Sequence, residues 1–372
     1  MRIALVAPGS IPAPTANSIQ TMKMAQAFTA LGHDLRLYAP GEDPQVAWGQ
    51  LAQQYGLRHE FPIKWLPRRR FLRGYDYGRA TVLDAKAWGA DLVYTRNPQA
   101  AAFGAQRRLP TILEMHDLPH GRGGPRLLDV FADGPGARKL VAITQALADA
   151  LRQRIRLPDK LLIQVAPDGV DLERYADLPT PTAARQQLGL PDTFTAGYTG
   201  SLYAGRGIEL LLELAAHLPE IHFLIAGGRE DDLARVRHQA SALNNVTLTG
   251  FVPNADLPLY QAASDVLLAP YQQQVSASSG GNIAAFLSPM KLFEYLASGR
   301  PILASQLPAL REVLNEQNAT LLPGDDAAAW AAALHALAAE PAQRERLSSA
   351  ARHSAQAYSW QARAAAILDG LG

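Results

Sequence analysis

Short, unbroken apolar runs recur along the chain, and each is followed by a stretch with helical spacing. "RIALVAP" (2–8) opens the series; a Pro/Gly/Ser loop follows, then a helical pattern from Ser18 to Leu31 that stops at Gly32. "GHDLRLYAP", "DLVYTR", "PTILEMHD", "KLVAIT" with a helix over 145–155, and "KLLIQVAPDGVD" repeat the theme. A second series starts at Thr195. It runs "TAGYTGS", a helix over 207–217, "IHFLIAGG", a helix over 229–243, "VTLTGFV", a helix over 254–263, "DVLLAPY", a helix ending at 298, "PILASQ" and "ATLLPGD". Strands covered on both faces lose the polar alternation of a half-exposed sheet, so this pattern predicts parallel sheets packed between helices. The expected fold class is α/β, with two Rossmann-like, doubly wound sheets in tandem. The stretch 172–194, with three prolines, marks the boundary between residues 1–172 and residues 173–355. Such sheets take ligands beyond the carboxyl ends of their strands, so the loops after strands are where chemistry is to be sought.

One helix breaks its own pattern. "SPMKLFEYLASGRPILAS" (288–305) reads as a helix with Ser288 as N-cap, Pro289 in the first turn and Gly299 as stop. Nearly all its positions are apolar, which predicts burial, yet Glu294 stands in the middle. Two readings fit. One is an ion pair with Lys291 on an exposed face, contributing about 0.2–0.5 kcal/mol. The other is a carboxylate accepting hydrogen bonds from a ribose diol. The backbone of Ser288, Pro289 and Met290 would then offer phosphate free N–H groups and the positive end of the helix dipole. "VSASSGGN", upstream, contributes small and polar residues including Asn282. "GYTGSLYAGRGIELLLEL" sets Gly200, Ser201 and Arg206 in a loop between strand and helix, where a guanidinium suits a pyrophosphate. "LTGFVPNADLPLYQ" leaves Phe251 and Val252 in a loop whose backbone could hold a base.

Composition changes the picture in a few respects. A chain of 372 residues exceeds the ~250–300 at which one core stops growing, which agrees with two domains. Without cysteine there is neither a disulfide nor a thiolate nucleophile. The N-terminal apolar run is too short for a signal peptide, and no run approaches the ~20 residues of a membrane span. The expected location is cytoplasmic. Net charge is only +1, yet Lys and Arg dominate residues 1–172 and acids dominate the remainder. The basic half is the candidate for an anionic partner, unless the two halves simply complement each other. "KWLPRRRFLRGYDYGRA" (64–80) gathers that charge with Trp65, Phe71, Tyr75 and Tyr77. It reads as a solvated loop, as a peripheral contact with an anionic membrane, or as a site for an anionic acceptor. No reading module accompanies it, so nucleic acid is not expected. The paired aspartates at 231–232 and 325–326 read as solvated helix starts, and no metal site is expected. Ser18 fits the N-cap of its helix, and its small side chain permits close approach. His116 ends an apolar strand, as a structural hydrogen-bond partner or a functional group, with Glu114 alternating beside it.

Together, "MRIALVAP", "EMHD", "LVAITQALADALRQ", "VAPDGVDLERY", "GYTGSLYAGRGIELLLELA", "VTLTGFVPNADLPLYQAASDVLLAPY" and "SPMKLFEYLASGRPILAS" closely resemble the retaining nucleotide-sugar glycosyltransferases of group 1, or family four, with the GT-B fold. The resemblance spans nearly the whole chain in order. It implies two domains facing across a cleft, with a final helix (about 356–372) returning to the first and Trp360 as its anchor. It implies sugar transfer, with anomeric retention, from a UDP- or GDP-type donor to an unidentified hydroxyl acceptor in polysaccharide, glycolipid or small-glycoside synthesis. Neither cofactor nor metal is implied. Arg206 resembles the residue that grips the donor diphosphate, and Glu294 the second glutamate of the E-x₇-E signature, bonded to the ribose. His116 resembles the histidine that contacts the donor sugar. His116, Arg206 and Glu294 are thus the candidate catalytic residues. Ser18, Gly200, Ser201, Phe251, Val252, Asn282, Ser288, Pro289, Met290 and Lys291 complete the candidate donor site. Two positions depart from the family: Phe286 replaces the first signature glutamate, and Ser201 a second basic residue. Asn282 and Lys291 are expected to take over those contacts. A catalytically degenerate binding protein and a nucleotide-sugar epimerase are the alternatives.

Overall fold

The computed structural model describes residues 1–121, 123–154, 157–158, 161–276 and 282–371. It divides into two compact units, Met1–Asp168 with Trp360–Gly372, and Gly169–Ser359. The first is built on β1 (Arg2–Val6), β2 (Asp34–Pro40), β3 (Ile63–Leu66), β4 (Leu92–Thr95), β5 (Thr111–Met115), β6 (Ala137–Ala142) and β7 (Leu162–Val165). Their order is β3-β2-β1-β4-β5-β6-β7. The second holds β8 (Thr195–Thr199), β9 (His222–Ala226), β10 (Val246–Gly250), β11 (Val266–Ala269), β12 (Ile302–Ser305) and β13 (Thr320–Leu322), ordered β10-β9-β8-β11-β12-β13. Every pairing of named strands is parallel, and the central strands β4, β8, β9, β11 and β12 are buried throughout. That is the burial their continuous apolar sequences require. The winding reverses between β1 and β4, and again between β8 and β11, creating a switch point in each sheet.

Several local expectations are corrected. Thr15, not Ser18, caps the helix Ala16–Ala30; Ser18 sits one turn in and completes a reciprocal capping box. The buried Ser18 hydroxyl also donates to the Thr15 carbonyl at 2.9 Å. Ser288 does not cap its helix either. Met290–Ser298 starts one residue later, with Pro289 at the cap position and no side-chain cap bond. Proline lacks an N–H and presets φ near −65°, so it serves as a rigid entry without one. The stretch 172–194 folds within the second unit, so the division precedes it, at Asp168 and Gly169: Thr180 caps the helix Pro181–Leu188, and the buried Arg185 reaches Asp192 and Asp265 at 2.8 and 2.9 Å.

The segment 64–80 is not a loop throughout. It supplies edge strand β3 and the start of the helix Tyr75–Trp88. Tyr77 is wholly buried, donating to the Ala7 and Tyr38 carbonyls, and Trp65 Nε1 donates to the Ile11 carbonyl at 2.9 Å. Phe71 and Tyr75 remain exposed. The final helix, Trp360–Leu368, belongs to the first unit, where Trp360 is buried and Arg363 donates to the Ala166 and Pro167 carbonyls.

Candidate functional site

In the second unit, the loops leaving the two strands at the switch point carry Arg206, after β8, and Tyr271, after β11. Gly207 turns the first loop into the helix Ile208–His217 at φ 78°; a Cβ there would lie 1.9 Å from the Pro270 carbonyl oxygen. Only glycine permits that approach. It keeps Arg206 against Tyr271, with Cζ 5.2 Å from the ring centroid. Lys291, on the helix Met290–Ser298, brings Nζ to 5.4 Å from the same centroid and 3.6 Å from that of Tyr198. Arg206 Nε, Lys291 Nζ and Ser288 Oγ are all buried without a hydrogen-bond partner. Burial, then the Arg206 charge, holds the Lys291 ammonium well below the usual lysine range, and Glu294 offsets this in part. Two cations with unspent donors at the carboxyl end of a parallel sheet form a site for an anion.

Glu294 shares the incompletely buried side of that helix with Met290 and Lys291, while Leu292, Phe293, Tyr295 and Leu296 enter the core. It does not pair with Lys291, whose Nζ lies over the tyrosines. Its carboxylate accepts instead from Asn254 Nδ2 and Gln261 Nε2, each at 3.3 Å. Both donors are fixed from behind. Arg174 donates to the Asn254 amide oxygen at 2.7 Å and also to its carbonyl. Gln261 reaches Thr199 at the end of β8, where Tyr295 Oη accepts from the Thr199 N–H at 2.8 Å. Two single amide donors leave its oxygens acceptor capacity for a ligand hydroxyl.

The other expected donor residues divide. Gly200, at φ 137°, lies directly under Lys291: a Cβ there would sit 2.8 Å from Nζ. Ser201 contributes its carbonyl to Tyr198 Oη at 2.6 Å. Val252 is buried and Phe251 exposed. Asn282 is committed to its own loop, with Oδ1 accepting from Val275 N–H and Ala284 N–H at 2.9 and 3.1 Å. The rest of that loop, 277–281, lies outside the described residues.

In the first unit, His116 follows β5 and directs Nε2 to Glu114 Oε1 at 2.5 Å. The two-residue spacing along a strand puts both on one face. Glu114 is buried and also receives Gln20 Nε2 at 2.8 Å and Arg363 Nη2 at 3.0 Å. Arg96, after β4, reaches Asn17 at 2.8 Å, and Asp168 is buried with Oδ1 unpartnered. Desolvation, then Arg96, holds His116 well below its ordinary value, so the ring is neutral; desolvation raises Glu114 and Asp168 and lowers Arg96 to about 10. Oxygens of Glu114 and Asp168 and a His116 nitrogen lie within 4.8 Å of one another, a spacing able to hold a metal ion. Arg96 and Arg363 already balance the two carboxylates, however, so a divalent cation would meet their repulsion.

A model of the group 1 glycosyl transferases matches residues 193–340, and one of glycosyltransferase family 4 matches residues 18–174. A D-inositol 3-phosphate glycosyltransferase of Xylanimonas cellulosilytica is 30% identical over 312 residues, covering 78% of this chain and 68% of that protein. The chain belongs to the group 1 glycosyltransferases. A phosphatidyl-myo-inositol mannosyltransferase of Mycolicibacterium smegmatis is 26% identical over 392 residues, covering 99% of this chain and 92% of its own. Anabaena Alr3699/HepE, solved in complex with UDP and glucose, superposes with a TM-score of 0.74 at 20% identity, covering 100% of this chain and 99% of its own. That likeness, with the two sheets described above, gives this glycosyltransferase the GT-B fold.

Sequence reasoning missed the residues that support each candidate cluster: Tyr198, Tyr271, Asn254, Gln261 and Arg174 around Arg206 and Glu294 within the second unit, and, separately, Arg96, Asp168 and Arg363 around His116 within the first. Spacing signalled only the Glu114–His116 pair. The others converge from distant positions whose meeting depends on strand order, which no local pattern encodes.

Proposed function

We propose that this glycosyltransferase uses a nucleoside-diphosphate sugar as donor, transfers the sugar with anomeric retention, and needs no metal ion or cofactor. The observation that carries the reading is the pairing of Arg206 and Lys291, cationic side chains with unspent buried donors, on the same unit as Glu294 held by neutral amides. The cations suit the two phosphates, and Glu294 suits the ribose diol. As the glycosidic bond breaks, charge grows on the leaving diphosphate, and fixed cations stabilise it without a bound metal. Replacement of the first signature glutamate by Phe286 argues against a double displacement, which needs a second carboxylate about 5 Å away as nucleophile. Retention then follows if the departing phosphate takes the acceptor's proton on the face it leaves. In the first unit, the neutral His116 is a hydrogen-bond partner for a sugar hydroxyl, oriented by Glu114.

The acceptor is read as an anionic molecule bearing a hydroxyl. The relatives named above act on inositol phosphate or phosphatidylinositol, and the excess of Lys and Arg in residues 1–172 suits such a charge. Exposed Phe71 and Tyr75, beside Arg68, Arg69, Arg70 and Arg73, further suit a peripheral contact with an anionic bilayer.

A thermal-shift panel tests the donor reading: UDP or GDP raises the midpoint, and NAD does not. Shifts with none of them would refute it. Transfer or slow hydrolysis of the matching sugar nucleotide separates an active enzyme from a binding protein, and anomeric analysis of the product tests retention.

A further inference from the structure

Two cations side by side in a partly buried site ordinarily need an acid between them. Here, among the described residues, neither Arg206 nor Lys291 forms an ion pair. What faces them is aromatic. Tyr271, wholly buried, lies under both Arg206 Cζ and Lys291 Nζ, and Tyr198, equally buried, lies 3.6 Å from Lys291 Nζ, centroid to nitrogen. We infer that Tyr198 and Tyr271 are positioning residues, whose ring faces hold the Arg206–Lys291 pair together in place of a counter-ion. The inference rests on the donor reading of that site.

The physical advantage lies in what a ring leaves free. A carboxylate would consume N–H donors and have to be displaced by the incoming diphosphate. A π face attracts the cation through its quadrupole and spends no donor, which agrees with the unpartnered state of Lys291 Nζ; Arg206 also has the Tyr271 hydroxyl as a hydrogen-bond partner and keeps its Nε unspent. The tyrosines are themselves anchored. Tyr198 Oη donates to the Ser201 carbonyl at 2.6 Å, and Tyr271 N–H donates to the Ala269 carbonyl at 3.0 Å. The charged and titratable groups facing Lys291 are Arg206 from the loop after β8, Tyr198 from β8, Tyr271 from the loop after β11 and Glu294 from its own helix. Burial and Arg206 oppose the ammonium, while the rings and Glu294 favour it. Removing a ring should therefore make the lysine lose its proton at lower pH.

The test compares Tyr198→Phe with Tyr198→Leu in the full-length protein, titrated calorimetrically with UDP, GDP and inorganic pyrophosphate across pH. Both variants lose the hydroxyl; only phenylalanine keeps the ring. The expected result is near-normal binding by Tyr198→Phe and roughly tenfold weaker binding by Tyr198→Leu. The diphosphate binds the protonated lysine, so affinity falls as pH rises through the Lys291 pKa, and that fall should move to lower pH in Tyr198→Leu alone. Equal affinities and superimposable pH profiles for the two variants would overturn the inference. Should Tyr198→Leu not fold, Tyr198→Met, which also lacks the ring, is compared with Tyr198→Phe in its place. Wild-type binding of pyrophosphate without UDP or GDP would defeat the donor reading while leaving the ring effect testable; binding of none would defeat both.

Discussion

Glu294 shows how much depends on the chemistry of a neighbour. Paired with Lys291 it would be a helix-surface ion pair of small consequence. Held by Asn254 and Gln261 it keeps part of its acceptor capacity. Glu294→Gln keeps the volume but sets an amide against two amides. UDP affinity should fall roughly ten- to hundredfold, the equivalent of about 1.5–3 kcal/mol for a hydrogen bond to a charged group. In the wild type 2′-deoxy-UDP should bind more weakly than UDP, and in Glu294→Gln that difference should shrink. Calorimetry with both ligands checks this; an undiminished difference would remove Glu294 from the ribose. His116 makes a prediction in pH. Its folded pKa lies well below the unfolded 6.5, so its contribution to stability is present above pH 6.5. It is lost as pH falls below that value, where the unfolded chain binds the proton first. The slope from one such group is at most about 1.4 kcal/mol per pH unit. Urea midpoints of wild type and His116→Gln should accordingly converge on acidification.

At the scale of elements, the final helix contributes more than packing. Arg363 gives Glu114 a cationic partner inside the first unit. Arg363→Met should cost about 3–5 kcal/mol, since it strands a buried carboxylate, and adding Glu114→Gln should recover part of the loss. Urea unfolding of the single and double variants tests this; equal costs would show that the pair is not coupled. The return of this helix was legible only through resemblance, because "SWQARAAAIL" says nothing locally about which sheet it covers. The strands were far more legible. β4, β8, β9, β11 and β12 are continuous apolar runs because both their faces are covered. β3 was missed, as an edge strand of four partly exposed residues beside an arginine run carries little of that signal. Helix starts failed at Ser18 and Ser288 because the actual cap positions, Thr15 and Pro289, lie close by and offer competing starts.

Across the whole molecule, charge is unevenly distributed. Basic residues gather in the first 172 positions, with Arg68, Arg69, Arg70 and Arg73 surrounding exposed Phe71. No helix among the described residues is long and apolar enough to cross a membrane, and the proposed bilayer contact is a peripheral one through this segment. Co-sedimentation with vesicles rich in anionic lipid, weakened by salt and by Arg69→Ala/Arg70→Ala/Phe71→Ala, would support that contact; binding unchanged by all three substitutions would exclude it. If Arg206 and Lys291 hold the donor diphosphate as proposed, transfer activity should persist in EDTA, since the two cations would neutralise it without a metal. Restoration of lost activity by Mg²⁺ or Mn²⁺ would contradict this. The most direct measurement of the central claim is calorimetric titration of UDP and GDP into wild type, Arg206→Ala, Lys291→Ala and the double variant. Saturable binding of one nucleotide by the wild type is expected, weakened by each substitution and abolished by both. Undiminished binding by the double variant would place the diphosphate elsewhere and contradict that claim.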